Sequence, residues 1–417
     1  MKKKVLWILV ITLSVIIATS CTDIENRGSS AEPVGGEIVS EEPPPKTTPQ
    51  TALPPEPEPQ PEPVPEYLTV SAVAVGDNLI HSSIYNQAHR RHPDEGRYDF
   101  GPAYENVRHM IEPFELAMIN QETLICNDIY PPSNYPRFNS PNDLGDFMLD
   151  MGFNAMTIAN NHTLDKGTEG LTACLNYWRE RSDRAVVVGA YYDEEERKNF
   201  NRFMEINGVT FSFLGYAESL NGLVLPRGSP LSIGRTTDID IMLEEIQRAK
   251  ENSDFCVVFL HWGAEDYDQI QSYQREAAKK MVEAGADFIH GTHPHVLRDF
   301  EWIEREDGTR ALVAYSLANF ISSQIVPQTM IGGALSFEIV VHNETRAVEI
   351  KDVILNPIIT HYDGSHNNVR LYPLEMYTRE LADNHGIKRW GTFGWDYIFK
   401  TLRRTVSPQW LPDWVLE

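Results

Sequence analysis

The chain has 417 residues and a formal net charge of −24 at pH 7, from 60 acidic and 36 basic side chains. A protein this acidic is a poor candidate for binding nucleic acid or anionic lipid headgroups, because like charges repel. Its four cysteines lack the spacing of a metal site or a disulfide framework, so neither is expected to stabilise the fold.

The N-terminus has the pattern of an export signal. Lys2–Lys4 form a basic start, and the uncharged run Val5–Ala18 is shorter than the roughly 20 residues of a membrane span. The run leads to Cys21 through small residues, which resembles the lipobox of bacterial lipoprotein signal peptides, although Ala18 stands where leucine is usual. We therefore expect residues 1–20 to be a signal peptide and Cys21 to carry a lipid. An uncleaved N-terminal anchor is the alternative, and both place the rest of the chain outside the cell.

Residues 21–66 are expected to form a disordered tether. This segment holds 12 of the 27 prolines and alternates Pro with Glu near its end. It has no apolar periodicity, so it cannot bury enough surface to offset the entropy of ordering. A passive spacer in extended polyproline II conformation is the expected role.

Residues 67–360 are predicted to form an α/β domain. Asn207-Gly208, between two apolar runs, predicts a hairpin. The alternation of elements predicts a largely parallel sheet covered on both faces, with a second, more antiparallel sheet layered on it. Strands are expected at 67–75, 114–119, 154–159, 185–188, 255–260, 287–289, 311–316, 333–341 and 347–355, and helices at 140–152 (with Ser140 as N-cap), 168–181, 238–252 and 269–284.

Side chains that can bind metal follow these strands directly. Because the carboxyl ends of strands in an open α/β sheet meet at one crevice, we expect them to converge. Mixed nitrogen and oxygen donors suit Mn, Fe or Zn. Each segment alone has a structural alternative, such as a turn or a helix cap. The residues concerned are Asp77, Glu122, Asn161, His162, His261, His293 and His295. His293 and His295 are expected on a rigid extended turn that points both rings the same way.

Together these segments closely resemble the capsule-synthesis protein CapA family, the poly-γ-glutamate synthesis proteins related to calcineurin-like metallophosphoesterases. The resemblance spans residues 69–357 and implies a four-layer α/β/β/α sandwich. It rests on Gly76-Asp77, Asn120-Gln121-Glu122, Asn160-Asn161-His162-Thr163-Leu164-Asp165, His261-Trp262-Gly263-Ala264-Glu265, Gly291-Thr292-His293-Pro294-His295 and Tyr315-Ser316-Leu317-Ala318-Asn319-Phe320.

The resemblance also implies roles for individual residues. Two divalent metal ions are expected, one bound by Asp77 and His295, the other by Asn161, His261 and His293, with Glu122 bridging them. His162 would protonate or stabilise a leaving oxygen. The remaining candidates are Glu265 and Asp165 as catalytic or supporting residues, and Asn160, Ser316 and Asn319 as substrate contacts.

The chain departs from the phosphoesterase pattern at the first metal position. The usual Asp-x-His is missing, since the next histidine after Asp77 is His81. Glu122 replaces the bridging aspartate, and Ala318 stands where the family usually has glycine. The first metal position is therefore short of a ligand, so one or two ions are compatible with the sequence.

Residues 361–417 are rich in aromatic side chains and are expected to pack on the domain as a C-terminal extension, the alternative being a surface that docks a membrane or a partner. Three functions remain open. The first is a lipid-anchored, extracytoplasmic partner of a polymer synthetase or export complex, acting on an anionic polymer such as poly-γ-glutamate. The second is a stand-alone metal-dependent hydrolase of phosphoesters or amides. The third is a non-catalytic polymer-binding module.

Overall fold

The computed structural model of the chain describes residues 65–199 and 202–417; the predicted signal peptide, Cys21 and nearly all of the tether lie outside them. The strands are β1 (Tyr67–Asn78), β2 (Leu116–Asn120), β3 (Ala155–Thr157), β4 (Val186–Val188), β5 (Ala190–Tyr191), β6 (Phe203–Ile206), β7 (Val209–Ala217), β8 (Ser232–Ile233), β9 (Phe255–His261), β10 (Phe288–Thr292), β11 (Leu297–Glu304), β12 (Arg310–Leu317), β13 (Asn319–Ile321), β14 (Ile331–His342), β15 (Val348–Asp363) and β16 (Asn367–Pro373). The helices are α1 (Ser82–His89), α2 (Gly101–Tyr104), α3 (Asn142–Asp150), α4 (Gly167–Arg179), α5 (Glu194–Asn199), α6 (Ile239–Lys250), α7 (Ser272–Glu283), α8 (Arg379–Asn384), α9 (Trp395–Thr405) and α10 (Asp413–Leu416).

The parallel strands are divided between two mixed sheets. The first has the order β16-β15-β14-β1-β2-β3-β4, with β1 to β4 parallel and β14 to β16 antiparallel. The second has the order β11-β12-β10-β9-β7-β6, with a parallel centre and an antiparallel strand at each edge. The prediction of one largely parallel sheet with a second, more antiparallel sheet layered on it was therefore wrong in how it divided the strands, because hydrophobic patterns identify strands but not their partners.

The four-layer α/β/β/α architecture is confirmed. Alternate residues of β9 enter different cores: Phe255, Val257 and Phe259 join the core shared with the first sheet, whereas Cys256, Val258 and Leu260 pack with α6 and α7. Helices α3 and α4 contribute to the core of the first sheet. Because β9 is covered on both faces, it reads as a continuous apolar run.

The predicted elements lie within a few residues of the observed ones, except that β15 continues to Asp363, well beyond its predicted end at residue 355, and the hairpin at Asn207-Gly208 joins β6 to β7 as expected. One predicted cap was wrong. The N-cap of α3 is Pro141 without a side-chain hydrogen bond, and the Ser140 hydroxyl instead lies 2.7 Å from that of Thr123. Long-range contacts thus override a local capping signal.

A close crossing of backbones fixes the end of β1. The Asp77 N–H donates to the carbonyl of Ala318 at 2.9 Å, and a Cβ on Gly76 would lie 1.8 Å from that oxygen. Only glycine fits there. Ala318 itself has φ +62°, in the left-handed region. This conformation accounts for the glycine that the family usually has at that position.

The C-terminal segment is continuous with the first sheet. The boundary predicted at residue 360 lies within β15, and β16 pairs antiparallel with it. Trp410 is buried against Phe300 and Trp302, whereas Trp414 is partly exposed. Among the residues that the structure describes, no helix combines the length and apolarity needed to cross a bilayer.

Candidate metal centre

The first set of donors comes from β1, the loop after β2 and the loop after β10. The Nδ1 atom of His295 lies 3.0 Å from Oδ2 of Asp77, and its Nε2 atom lies 3.8 Å from Oε1 of Glu122. One ligand atom from each of these three buried residues falls within 4.8 Å of the others. These three residues are far apart in the sequence, so only the packing of the layers brings their side chains together.

The second set surrounds the Nε2 atom of His261. This atom lies 3.0 Å from Oδ1 of Asn161 and 2.9 Å from Nδ1 of His293. Oε1 of Glu122 is 3.7 Å away and therefore lies between the two sets. Asn161 follows β3, whereas His261 ends β9 of the other sheet, so this set bridges both sheets.

These donors fit a bound cation. Ligand atoms at 2.0–2.2 Å from one ion are separated from each other by roughly 3.0–3.5 Å, close to the observed distances. Neither carboxylate oxygen of Glu122 has a hydrogen-bond partner among the described residues, although both are buried. A buried carboxylate without a partner is costly, and an ion between the sets would supply one.

Supporting hydrogen bonds orient the donors. Asn120 donates to Oδ1 of Asp77 at 2.7 Å, and Oγ1 of Thr292 lies 3.0 Å from Nδ1 of His261, which leaves Nε2 of that ring facing the second set. The Asn161 amide donates to Oδ1 of Asn221 at 3.4 Å. Sequence reasoning gave Asn120, Thr292 and Asn221 no such role. The first two adjoin predicted ligands at strand ends, which was an available signal, whereas nothing in the sequence marked Asn221.

His162 and Asp165 form a pair at the edge of the centre. Nδ1 of His162 lies 2.7 Å from Oδ2 of Asp165. The same carboxylate oxygen accepts a hydrogen bond from the backbone N–H of Phe138 at 2.7 Å. The ring of Phe138 packs edge-on against the imidazole, with centroids 4.8 Å apart. Nε2 of His162 lies 3.9 Å from Oε1 of Glu122, so the free nitrogen faces the donor sets. The arrangement places an imidazole that could transfer a proton beside the centre.

Burial and neighbouring charges divide the histidines into two kinds. Burial, with nearby His293 and His295, lowers the pKa of His261 well below its usual value, and burial lowers the pKa of His293 to about 3. Burial alone would also lower the pKa of His295. The carboxylates of Glu122 and Asp77 have the larger, opposite effect and raise the pKa of His295 to about 10. Burial, together with Asp77, raises the pKa of Glu122 well above its usual value. Two imidazoles are therefore ready to bind metal, whereas the third carries a proton.

The segment that carries His293 and His295 is not extended, and that prediction was wrong. His293 has φ +94° and His295 has φ +58°, both uncommon for residues with a Cβ. The two rings nevertheless lie side by side, with centroids 6.0 Å apart. Strained backbone of this kind persists where the surroundings enforce it and is concentrated at functional sites.

The three predicted substrate contacts are buried inside the protein. The Asn160 side chain bonds to Asn120, to the Gln121 carbonyl and to the His162 N–H. Ser316 is fully buried and accepts from the N–H of Ala318. Asn319 donates to Gln324 and to the carbonyl of Thr329. In the structure these polar groups support the loops around the centre, and their contact with a substrate stays a prediction. Glu265, in contrast, is exposed beside His293 and His295.

The fold and the donor sets together define a two-sheet α/β sandwich with a candidate metal centre at its strand ends. The model of the family described as bacterial capsule synthesis protein PGA_cap matches residues 71–324, and the chain belongs to this family, which confirms the resemblance seen in the sequence.

Two curated relatives carry capsule names. The PGA biosynthesis protein CapA of Bacillus subtilis (strain 168) is 36% identical over 178 residues, which cover 42% of this chain and 44% of that protein. The capsule biosynthesis protein CapA of Bacillus anthracis is 35% identical over 181 residues, covering 42% and 41%. The chain therefore spans less than half the length of each of these two relatives. Among solved structures, a phosphatase from Mycoplasma pneumoniae superposes with a TM-score of 0.42 at 13% identity, covering 69% of this chain and 94% of that one.

Proposed function

We propose that this protein acts on the outer face of the cell membrane in the synthesis or export of an anionic capsule polymer such as poly-γ-glutamate, using a centre of two divalent ions. The observation that carries the proposal is the buried Glu122 carboxylate, which has no hydrogen-bond partner among the described residues and lies between two sets of converging donors. Family membership supports the polymer, and the mixed donors favour Mn, Fe or Zn.

Each donor set of the centre would hold one metal ion. Asp77, Glu122 and His295 would hold one ion, and Asn161, His261 and His293, with Glu122, the other. Bound divalent ions supply Lewis-acid polarisation of a phosphoryl or carbonyl oxygen. His162, fixed by Asp165, lies at the edge of the centre and would give a proton to a departing oxygen or nitrogen.

Anchoring through Cys21 and the tether would place this centre away from the membrane surface. An extended segment of this length reaches up to roughly 140 Å, enough to follow a polymer leaving a synthetase or export complex. The acidic surface would repel a polymer rich in carboxylates. Divalent ions at the centre would offset this repulsion locally, so polymer engagement is expected to depend on metal.

Deletion of the gene, followed by complementation, tests this function. Deletion should lower the surface polymer, and the wild-type gene should restore it. A Cys21→Ala variant tests the anchor, and a Glu122→Gln variant tests the centre, so both are expected to complement poorly at equal expression. Unchanged surface polymer after deletion would contradict the proposed role.

Metal binding should release protons in a pH-dependent manner. Because the pKa of His295 is raised to about 10 in the metal-free protein, this imidazole carries a proton at pH 7–9 and must lose it to bind an ion. Apparent affinity at this position should therefore rise about tenfold per pH unit up to about pH 10 and level off above it. Calorimetry of Mn²⁺ binding in buffers of different ionisation enthalpy measures the released protons. Affinity independent of pH between 7 and 9 would contradict this assignment.

A stand-alone metallohydrolase is the second candidate, favoured by the His162–Asp165 pair, which a purely binding module would not need. Turnover of small phosphoesters or amides by the purified chain would support it. Bound metal without any turnover would leave polymer binding as the role.

A further inference from the structure

The loop that carries Glu122 also carries an exposed arginine. This loop spans residues 121–141, between β2 and α3. Glu122 is buried near the start of the loop, whereas Arg137 is exposed near its other end. Phe138, the next residue, is buried and packs against the ring of His162 with centroids 4.8 Å apart. The loop therefore returns to the metal centre at Phe138 and brings Arg137 to its edge.

The guanidinium of Arg137 lies beside the pair formed by His162 and Asp165. Its Nη1 atom donates to the backbone carbonyl of Asp165 at 3.4 Å, and the carboxylate of the same residue lies 2.7 Å from Nδ1 of His162. A guanidinium has five N–H donors, so this contact leaves most of them free. Arg137 forms no ion pair with a carboxylate in the part of the chain that the structure describes. An accessible cation without an anionic partner thus lies at the edge of the proposed centre.

Hydrogen bonds fix the backbone that carries this cation. Ser133 and Asn139 exchange two backbone hydrogen bonds, of 2.9 and 3.1 Å, across the turn that contains Arg137. The Ser133 hydroxyl donates to the Arg137 carbonyl at 2.7 Å. At the start of α1, the N–H of Ser82 donates to Oδ1 of Asn134 at 2.9 Å. Because the loop is already held, binding an anion would cost the ordering of one side chain and not of the loop.

The charge of Arg137 is opposite to that of the protein as a whole. The chain has a net charge of −24, so an acidic polymer is repelled except where a local cation attracts it. Arg137 belongs to neither group of converging metal donors and is therefore available for an anionic group of its own. A guanidinium matches a carboxylate through two parallel N–H donors.

We propose that Arg137 binds a free carboxylate of the acidic polymer, on the unit next to the one that the metal centre engages. This inference rests on the proposed function and deepens it, because it makes the crevice selective for a chain with repeated carboxylates over a neutral chain. The hydrogen bond of Arg137 goes to the backbone of Asp165 and to no metal ligand, so Arg137 is assigned to specificity and not to the chemical step. A phosphate has similar oxyanion chemistry, so the experiment includes both.

Binding of a fluorescein-labelled γ-linked glutamate oligomer to the Mn²⁺-loaded full-length chain, purified in detergent and followed by fluorescence anisotropy, tests the assignment. The wild type is compared with Arg137→Gln, Arg137→Lys and Arg248→Gln. The last variant is the matched control, because Arg248 is exposed in the last turn of α6, which leads to the start of β9 and away from the strand ends. The further probes are the same oligomer with its carboxyl groups amidated and a labelled oligomer of glycerol phosphate. Circular dichroism and the count of bound Mn²⁺ check that all four proteins are folded and loaded.

Arg137→Gln should bind the glutamate oligomer about fivefold more weakly than the wild type, the upper end of what an exposed ion pair contributes. Arg137→Lys should recover part of this loss, because it keeps the charge without the paired donors. The wild type and Arg137→Gln should bind the amidated oligomer equally, and added salt should reduce their difference on the charged one. Arg248→Gln should match the wild type with every probe.

Equal binding of the glutamate oligomer by the wild type and Arg137→Gln would overturn this inference and leave the proposed function standing. A loss of the same size on the amidated oligomer would also overturn it, since Arg137 would then act only by holding the loop. A larger loss on the glycerol phosphate oligomer would overturn the carboxylate in favour of a phosphate. A wild type that binds none of the oligomers would overturn polymer binding itself, and the inference with it.

Discussion

Replacing Glu122 with glutamine should abolish metal binding and at the same time raise the free energy of unfolding of the metal-free protein. The Glu122 carboxylate is buried, and neither oxygen has a hydrogen-bond partner among the described residues. Glutamine keeps the size of the side chain and removes the buried charge. The expected gain is about 1–3 kcal/mol, because an unpaired buried charge costs more than an unpaired buried amide of the same size. Loss of the attraction to His295, whose Nε2 lies 3.8 Å away, offsets part of it.

The sign of this effect depends on pH and on metal. Because burial raises the pKa of Glu122 in the folded protein, the cost of ionising it is present above the unfolded value of about 4.5 and disappears below it. The advantage of Glu122→Gln should therefore shrink as the pH falls towards 4.5. With saturating Mn²⁺ the order should reverse, since an ion at 100 times its dissociation constant adds about 2.7 kcal/mol to the wild type alone.

Urea unfolding at pH 8, with a chelator or with Mn²⁺, measures both halves of this prediction. Glu276→Gln is the control, because it removes the same charge from an exposed position on α7, and it should behave as the wild type in both conditions. A Glu122→Gln variant less stable than the wild type without metal would show that Glu122 already has adequate partners. The burial of Glu122 would then no longer support a metal ion between the two donor sets.

The strand ends could be predicted from the sequence because each is marked locally. An apolar run that stops at a polar residue identifies both the strand and the side chain that it presents, as at Asp77 and His261. Pairing is not marked locally. Strands β1 to β4 and strands β7, β9, β10 and β12 have similar apolar patterns, yet the two groups belong to different sheets. The ligands of the second set thus come from opposite sheets, which only the layered fold reveals.

The hydrogen bonds that hold the site together could not be predicted from the sequence. Asn160, Ser316 and Asn319, which the family resemblance suggested as substrate contacts, bond to loop backbone and neighbouring amides, and no local pattern marks these partners. Arg298, which holds the loop around Glu265, reads in the sequence as an ordinary strand residue. Its role depends on carbonyls more than 30 residues away along the chain.

Replacing His162 with alanine should slow hydrolysis in proportion to how poor the leaving group is. The Nδ1 atom of His162 is fixed on Asp165 and its Nε2 faces the centre, so it can protonate a departing oxygen. An alkoxide needs this proton, whereas nitrophenolate leaves without it. The loss in kcat/KM should reach about 10²–10⁴-fold on glycerol phosphate, the usual contribution of a positioned proton donor, and should be much smaller on p-nitrophenyl phosphate.

The comparison of the two substrates separates proton transfer from a general disturbance of the site. Bound Mn²⁺ should be unchanged in His162→Ala, because this residue belongs to neither donor set. The exposed His92→Ala provides the matched control and should keep wild-type rates on both substrates. Equal losses on both substrates would assign His162 to positioning the centre. A wild type inactive on both would remove phosphomonoester hydrolysis from its chemistry and leave the carboxylate-rich polymer as the molecule that the metal centre engages.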